Sequence, residues 1–152
     1  GVPRICFVNK MDRVGANFER TVKMIQDRLG AVAVPLQIPF GAEDGFQGVI
    51  DLISMRLVLW NPDNSQMEPC WLADVPAELM PEMAQKRQQV IEAVADADDQ
   101  LMAVYLEGGD INEVDLIRAI RMATLQGKMV PVLCGSAYRN KGVELLLDAV
   151  VR

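Results

Sequence analysis

Histidine is absent from the 152 residues. That absence excludes Ser-His and Cys-His nucleophilic catalysis and removes the commonest metal ligand. Cysteine is scarce: Cys6, Cys70 and Cys134 form no CxxC pair, and their number is odd. A disulfide framework or a thiolate metal site has no basis in that pattern. Cys6 and Cys134 sit in apolar runs and read as small buried hydrophobes in a reducing compartment. No apolar run approaches the roughly 20 residues that span a bilayer. Basic residues are outnumbered 15 to 21, and a net charge of −6 speaks against a general nucleic-acid surface. An initiator Met and a signal-peptide layout are missing too. Gly1-Val2-Pro3-Arg4 runs straight into an apolar stretch, so the chain reads as part of a longer protein.

What is present is enough for a domain. Hydrophobic residues make up 51% of the chain and charged ones 24%, the balance of a globular protein with a substantial core. The charge is unevenly spread. Between Asp74 and Asp115 lie 11 acidic residues and only two basic ones, Lys86 and Arg87. An acidic module is set into a mildly basic frame.

Pro3–Asn9 contains a short, continuously apolar stretch of the kind that forms a strand buried in a parallel sheet. Asn17 then offers a helix N-cap. Phe18, Val22, Ile25 and Leu29 follow at helical spacing, and Gly30 is a natural stop. Val34–Phe40 is apolar but carries Pro35 and Pro39, which allow at best an edge strand. After a Gly41–Gly45 turn, Phe46–Leu52 and Arg56–Trp60 read as short strands. Asn61–Ser65 is a turn, and Glu68–Leu72 is a further candidate strand. Pro76 suits a helix start, with helix expected to about Ala97 and only Pro81 as a breaker. A second helix is expected over Asp98–Glu107, ended by Gly108-Gly109. A third is capped by Asn112, with Leu116, Ile117, Ile120 and Ala123 on its apolar face and Gly127 as its stop. Val130–Cys134 is strand-like, and Pro131 demotes it to a sheet edge. Gly135–Gly142 is a loop, and Val143, Leu146, Leu147 and Val150 mark a last amphipathic helix.

The order is β-α, a small α+β insertion, then β-α. The expected fold class is therefore α/β, with a parallel sheet interrupted by an inserted α+β subdomain. Residues 1–32 and 129–152 form the frame and 33–128 the insertion.

Two loops carry chemistry. Asn9-Lys10-Met11-Asp12 is an NKxD at the end of a parallel strand, where ligands of open α/β sheets bind. A carboxylate at Asp12 can accept from both N1–H and the 2-amino group of guanine, which adenine cannot satisfy. In sites of this kind the unpaired carboxylate costs the wrong base roughly 10⁴-fold. Asn9 can serve the N7 edge, and the stem of Lys10 can lie across the base. Gly135-Ser136-Ala137 follows another strand, and its small side chains let backbone N–H groups approach guanine O6. Taken singly, NKMD is also an ordinary polar turn and GSA a tight turn before a helix. Their weight comes from occurring in that order after two strands.

These residues resemble bacterial-type translation elongation factor G. The likeness runs through Asn9–Arg13 and Gly15–Phe18, Val34-Pro35-Leu36-Gln37, Phe46–Leu52 and Gly135–Gly142, and it includes the long insertion between the two loops. Release factor 3 and the ribosomal protection proteins share the loops but look less similar across the insertion. The resemblance implies a P-loop-GTPase-type fold and a cytoplasmic GTPase of ribosomal translocation. In it Asn9, Lys10 and Asp12 contact guanine, and Ser136 and Ala137 close the O6 side. It also implies that the insertion meets the ribosomal stalk protein through its acidic first helix, with Glu82, Glu92 and Asp96 as contacts. No membrane partner or sequence-specific nucleic-acid contact is expected. The same carboxylates would otherwise be a solvated helix face, and a non-enzymatic acidic interaction module is the competing reading.

The sequence holds no GxxxxGK[ST], and no DxxG-type switch is read in it: Asp12–Gly15 continues the NKMD loop and Asp27–Gly30 ends the first expected helix. The parts that hold phosphate and magnesium are thus expected elsewhere in a parent protein, with no catalytic or metal-ligating residue in this chain. Charge-assisted hydrogen bonds contribute roughly 1.5–3 kcal/mol each, against an association cost of at least about 4 kcal/mol. Alone, the chain is expected to hold GTP or GDP at about millimolar strength or worse, and therefore to be inactive.

Overall fold

The computed structural model describes residues 4–8, 17–30, 32–41, 47–59 and 71–134. Along them run β1 (Cys6–Val8), α1 (Phe18–Leu29), β2 (Ala33–Pro35), β3 (Gln37–Phe40), β4 (Gly48–Asp51), β5 (Arg56–Leu59) and β6 (Trp71–Asp74). Next come α2 (Met80–Val94), α3 (Asp99–Leu106), α4 (Glu113–Leu125) and β7 (Val130–Cys134). The fold is α/β: a parallel sheet β1-β7-β2 adjoins an antiparallel sheet β3-β4-β5-β6. The Gly135–Gly142 loop, the last amphipathic helix and the Asn61–Ser65 turn lie outside the described residues.

Local signals set the helices. The Asn17 side chain accepts from the Arg20 N–H at 3.0 Å, and Gly30 ends α1 in the left-handed region at φ 63°. Asn112 does the same for α4, accepting from Asp115 N–H at 2.7 Å. Such caps satisfy backbone donors that the first helical turn leaves without partners. Pro81, expected as a breaker, sits in the first turn of α2. Its missing N–H would have had no helical partner there in any case. Pro76 begins a short 3₁₀ turn, Ala77–Leu79, and the α-helix proper starts only at Met80. The strand expected at Glu68–Leu72 runs on to Asp74, because the cross-strand ladder pairs Arg56 with Asp74 and Leu59 with Trp71; Glu68–Cys70 lie outside the described residues.

Pro131 does not place β7 at an edge; β7 is flanked on one side by β1 and on the other by β2. Along a strand, alternate residues direct their backbone groups to opposite neighbours. Val130 donates to Val32 O at 2.8 Å and Val132 O accepts from Leu36 N–H at 3.0 Å, so these two residues face β2. Pro131 therefore faces β1. The ladder with β1 begins only at the next residue, where Cys6 pairs with Val132. The donor that proline lacks falls just short of that ladder, and no sheet hydrogen bond is lost.

Both sheets bury both faces by simple alternation. Ile50, Leu57, Val34 and Leu133 face one cluster, shared with Met83, Val90 and Val94 of α2 and Leu116, Ala119 and Ala123 of α4. Val49, Val58, Ala33, Val132 and Cys134 face the other, shared with Phe18 and Val22 of α1. Helices thus cover the two sides, and the strands read as near-continuous apolar runs. The β4–β5 turn is held by Asp51, whose carboxylate accepts from Ile53 N–H and from the Ser54 hydroxyl, both at 3.0 Å.

Gly48 has no room for a side chain, because a Cβ there would run into the Val58 carbonyl of the neighbouring strand. At Gly30 a Cβ would meet nothing, and only the left-handed backbone resists substitution. Gly48→Ala is expected to cost about 3 kcal/mol, at the upper end of overpacking penalties, and Gly30→Ala about 1 kcal/mol. Equilibrium urea unfolding of the two variants checks this, and equal losses would contradict it.

Candidate functional site

The NKMD and GSA loops both begin where described strands end. Val8 closes β1 and Cys134 closes β7, and these two residues are register partners in adjacent parallel strands. Neighbouring strands lie about 4.8 Å apart. Val8 and Cys134 therefore lie side by side at the carboxyl end of the sheet, the ligand-binding edge of α/β folds. Asn9, Lys10, Asp12, Ser136 and Ala137 themselves lie outside the described residues.

The strand ends are firmly seated. Val8 is 7% exposed and Cys134 fully buried. Burial pushes the Cys134 thiol above its usual range, so it stays protonated and packs as a small apolar group. Cys6 and Cys134 are both free thiols. The Cys134 N–H donates to Oε1 of Gln37 at 3.2 Å, across 97 residues of sequence. Gln37 is only 5% exposed. It carried no expectation of its own, although a lone amide in the apolar run Val34–Phe40 is a signal that a buried acceptor was needed.

The sequence matches the pattern of the family described as the elongation factor Tu GTP binding domain over residues 1–152. The chain belongs to that family. A crystal structure of a protein from Thermus thermophilus is similar to it, with a TM-score of 0.80 and 27% identity over 99% of this chain. This chain spans 22% of the length of that protein. The α/β architecture with an antiparallel insert is a variant of the GTP-binding domain fold of this family.

The acidic module forms a second candidate surface. Glu82 and Glu92 are exposed on α2, and Asp96 is exposed in the 3₁₀ turn Ala95–Ala97 that follows it. Ten residues of helix put Glu82 and Glu92 about 80° apart around the axis and about 15 Å apart along it. Both lie away from the buried Met83, Val90, Ile91 and Val94. Glu92 also accepts from the Tyr105 hydroxyl at 2.9 Å, which ties α3 to this face. Glu82 borders a groove of about 660 Å³ between α1 and α2, where Lys86 reaches Glu19 at 3.8 Å. Among the described residues, no group of acidic or cysteine side chains is arranged to hold a metal ion.

Asp98 organises the helices behind this surface. Only 4% exposed, it caps α3 by accepting from Gln100 and Leu101 N–H at 3.0 and 3.2 Å. Its other oxygen accepts from Arg118 Nε at 2.7 Å, and Arg118 also donates to Asp115 at 2.9 Å. The Arg118 hydrogen bond, helped by the backbone donors and opposed by burial, holds the Asp98 carboxyl below its usual 3.8. Because the folded-state value lies below the unfolded one, the unfolded chain binds more protons in that interval. The contribution is complete above about pH 4 and fades as pH falls through the folded value. Asp98→Asn keeps a cap acceptor but loses the charge. Its stability deficit relative to the wild type is expected to be full near pH 7 and to shrink at about pH 3, as read from urea midpoints. A deficit independent of pH would assign the loss to packing instead.

Proposed function

We propose that this chain is the guanine-reading part of a cytoplasmic translocation GTPase of the elongation factor G type. The observation that supports the reading is the Val8–Cys134 register pair, the two strand ends that precede the NKMD and GSA motifs, in a chain of the elongation factor Tu GTP-binding family. In this reading Asp12 accepts from N1–H and the 2-amino group of guanine, Asn9 serves N7, Lys10 lies over the ring, and Ser136 and Ala137 bring backbone donors to O6. Base recognition fixes which nucleotide is held. Phosphate binding, magnesium and hydrolysis belong to other parts of the parent, because the motifs for them are not in this sequence.

The insertion at 33–128 supports the elongation factor G type over a minimal GTPase, which has a short connection between the two loops. We assign it docking on the ribosomal stalk protein through the exposed carboxylates of Glu82, Glu92 and Asp96. The segment from Asp74 to Asp115 carries 11 acidic and two basic residues, and every one of those acids except the buried Asp98 is at least partly exposed, which favours a basic partner. A non-enzymatic acidic interaction module would show the docking without any nucleotide chemistry, which the first experiment below separates.

In the natural full-length protein, Asp12→Asn replaces an acceptor pair by a mixed donor and acceptor. GDP affinity is expected to fall at least about 10²-fold, while affinity for xanthosine diphosphate rises because its 2-oxo group can accept from the new amide. Calorimetry with both nucleotides tests this, and unchanged GDP binding would remove the guanine reading. Reversing Glu82, Glu92 and Asp96 to Lys is expected to slow association with the stalk protein roughly tenfold or more at low salt, with the difference shrinking as salt rises. Stopped-flow rates that ignore the triple reversal would remove these three residues from the interface.

A further inference from the structure

The chain changes sheets at Leu36. Its N–H donates to Val132 O in the parallel sheet at 3.0 Å, and its carbonyl accepts from Leu52 N–H at 3.0 Å, just past β4 of the antiparallel sheet. In a parallel ladder the next donor on this side of β7, Cys134 N–H, would take the Leu36 carbonyl. That carbonyl is already engaged, and β2 has ended at Pro35. Cys134 is fully buried, so water cannot replace the missing acceptor. The side-chain Oε1 of Gln37 supplies it at 3.2 Å. One buried amide, from the first residue of the antiparallel sheet, thus extends the β7 ladder to its last residue. The residue after that begins Gly135-Ser136-Ala137.

We infer that Gln37 is a positioning residue for the loop that reads guanine O6: it sets where the chain leaves β7 and so where the O6-facing backbone donors begin. The inference rests on the proposed guanine reading and concerns one edge of the base. β1, whose continuation carries Asp12, flanks β7 on the side opposite the Gln37 contact, and in the proposed reading Asp12 takes the N1–H and 2-amino edge. Loss of the Gln37 amide therefore affects the two edges unequally. A residue acting only through general stability would affect them together.

The experiment uses the natural full-length protein and three diphosphates: GDP, inosine diphosphate (which lacks the 2-amino group) and 6-thioguanosine diphosphate (which keeps N1–H and the 2-amino group but carries sulfur, a weaker acceptor, in place of O6). The wild type is expected to prefer GDP over both. In Gln37→Leu the preference over the thio analogue should fall by up to about tenfold, the scale of one compromised hydrogen bond, while the preference over inosine diphosphate holds. Gln37→Glu keeps an oxygen at the same place and should restore the preference. Equal losses on both edges, or no loss, would overturn the inference. A wild type that rejects inosine diphosphate but accepts the thio analogue as well as GDP would also overturn it, leaving the Asp12 reading intact. Indifference to both analogues would instead defeat the guanine reading itself, and this inference with it. Amide hydrogen exchange in the wild type gives a test that needs no variant: the Cys134 amide should exchange as slowly as that of Val132, and rapid exchange overturns the inference.

Discussion

The architecture turns on the peptide groups of one residue. Leu36 gives its N–H to one sheet and its carbonyl to the other, so the parallel and antiparallel layers are joined by backbone hydrogen bonds as well as by side-chain packing. A buried backbone group without a partner is costly, and this junction leaves Leu36 and the ends of β2 and β7 satisfied within a few residues. It also lets the antiparallel sheet lie against β7 without a long connection. The alternation of side chains then carries through both sheets, with Val34 and Ile50 on the α2–α4 side and Ala33 and Val49 on the α1 side.

Behind the acidic surface, charge is segregated by burial. Asp98 is the one buried carboxylate among the described residues, and it is fully engaged by two backbone donors and Arg118. A buried charge is tolerated only with such partners. Glu82 and Asp96 lie in solvent, where a carboxylate costs nothing to keep. Structure and surface chemistry are thus handled by different acids. A net-charge argument from sequence could not separate Asp98 from Asp96, two residues apart.

Much of the local structure was legible. Asn17 with Gly30, and Asn112 with Gly127, bracket α1 and α4 because caps and left-handed stops act within one turn and need no distant partner. Pro131 misled, since the rule that proline belongs at an edge depends on which neighbour its nitrogen faces. That direction is fixed by register with a strand more than a hundred residues earlier. The end of the strand before Pro76, at Asp74 rather than Leu72, was missed for the same reason: it follows from pairing with β5. Gln37 looked like a stray polar residue until its acceptor role at Cys134 was visible.

The sequence by itself determined the helices, the apolar strands and the two motifs whose residue types suit guanine, because propensity, capping and functional-group chemistry are properties of neighbouring residues. It also determined the acidic character of the insertion. Only the tertiary structure decided that β7 is flanked on both sides, that β1 and β7 end in register at Val8 and Cys134, and that Gln37 completes the β7 ladder. Those facts depend on hydrogen bonds between residues far apart in the chain, and such pairings are chosen by the packing of the whole domain.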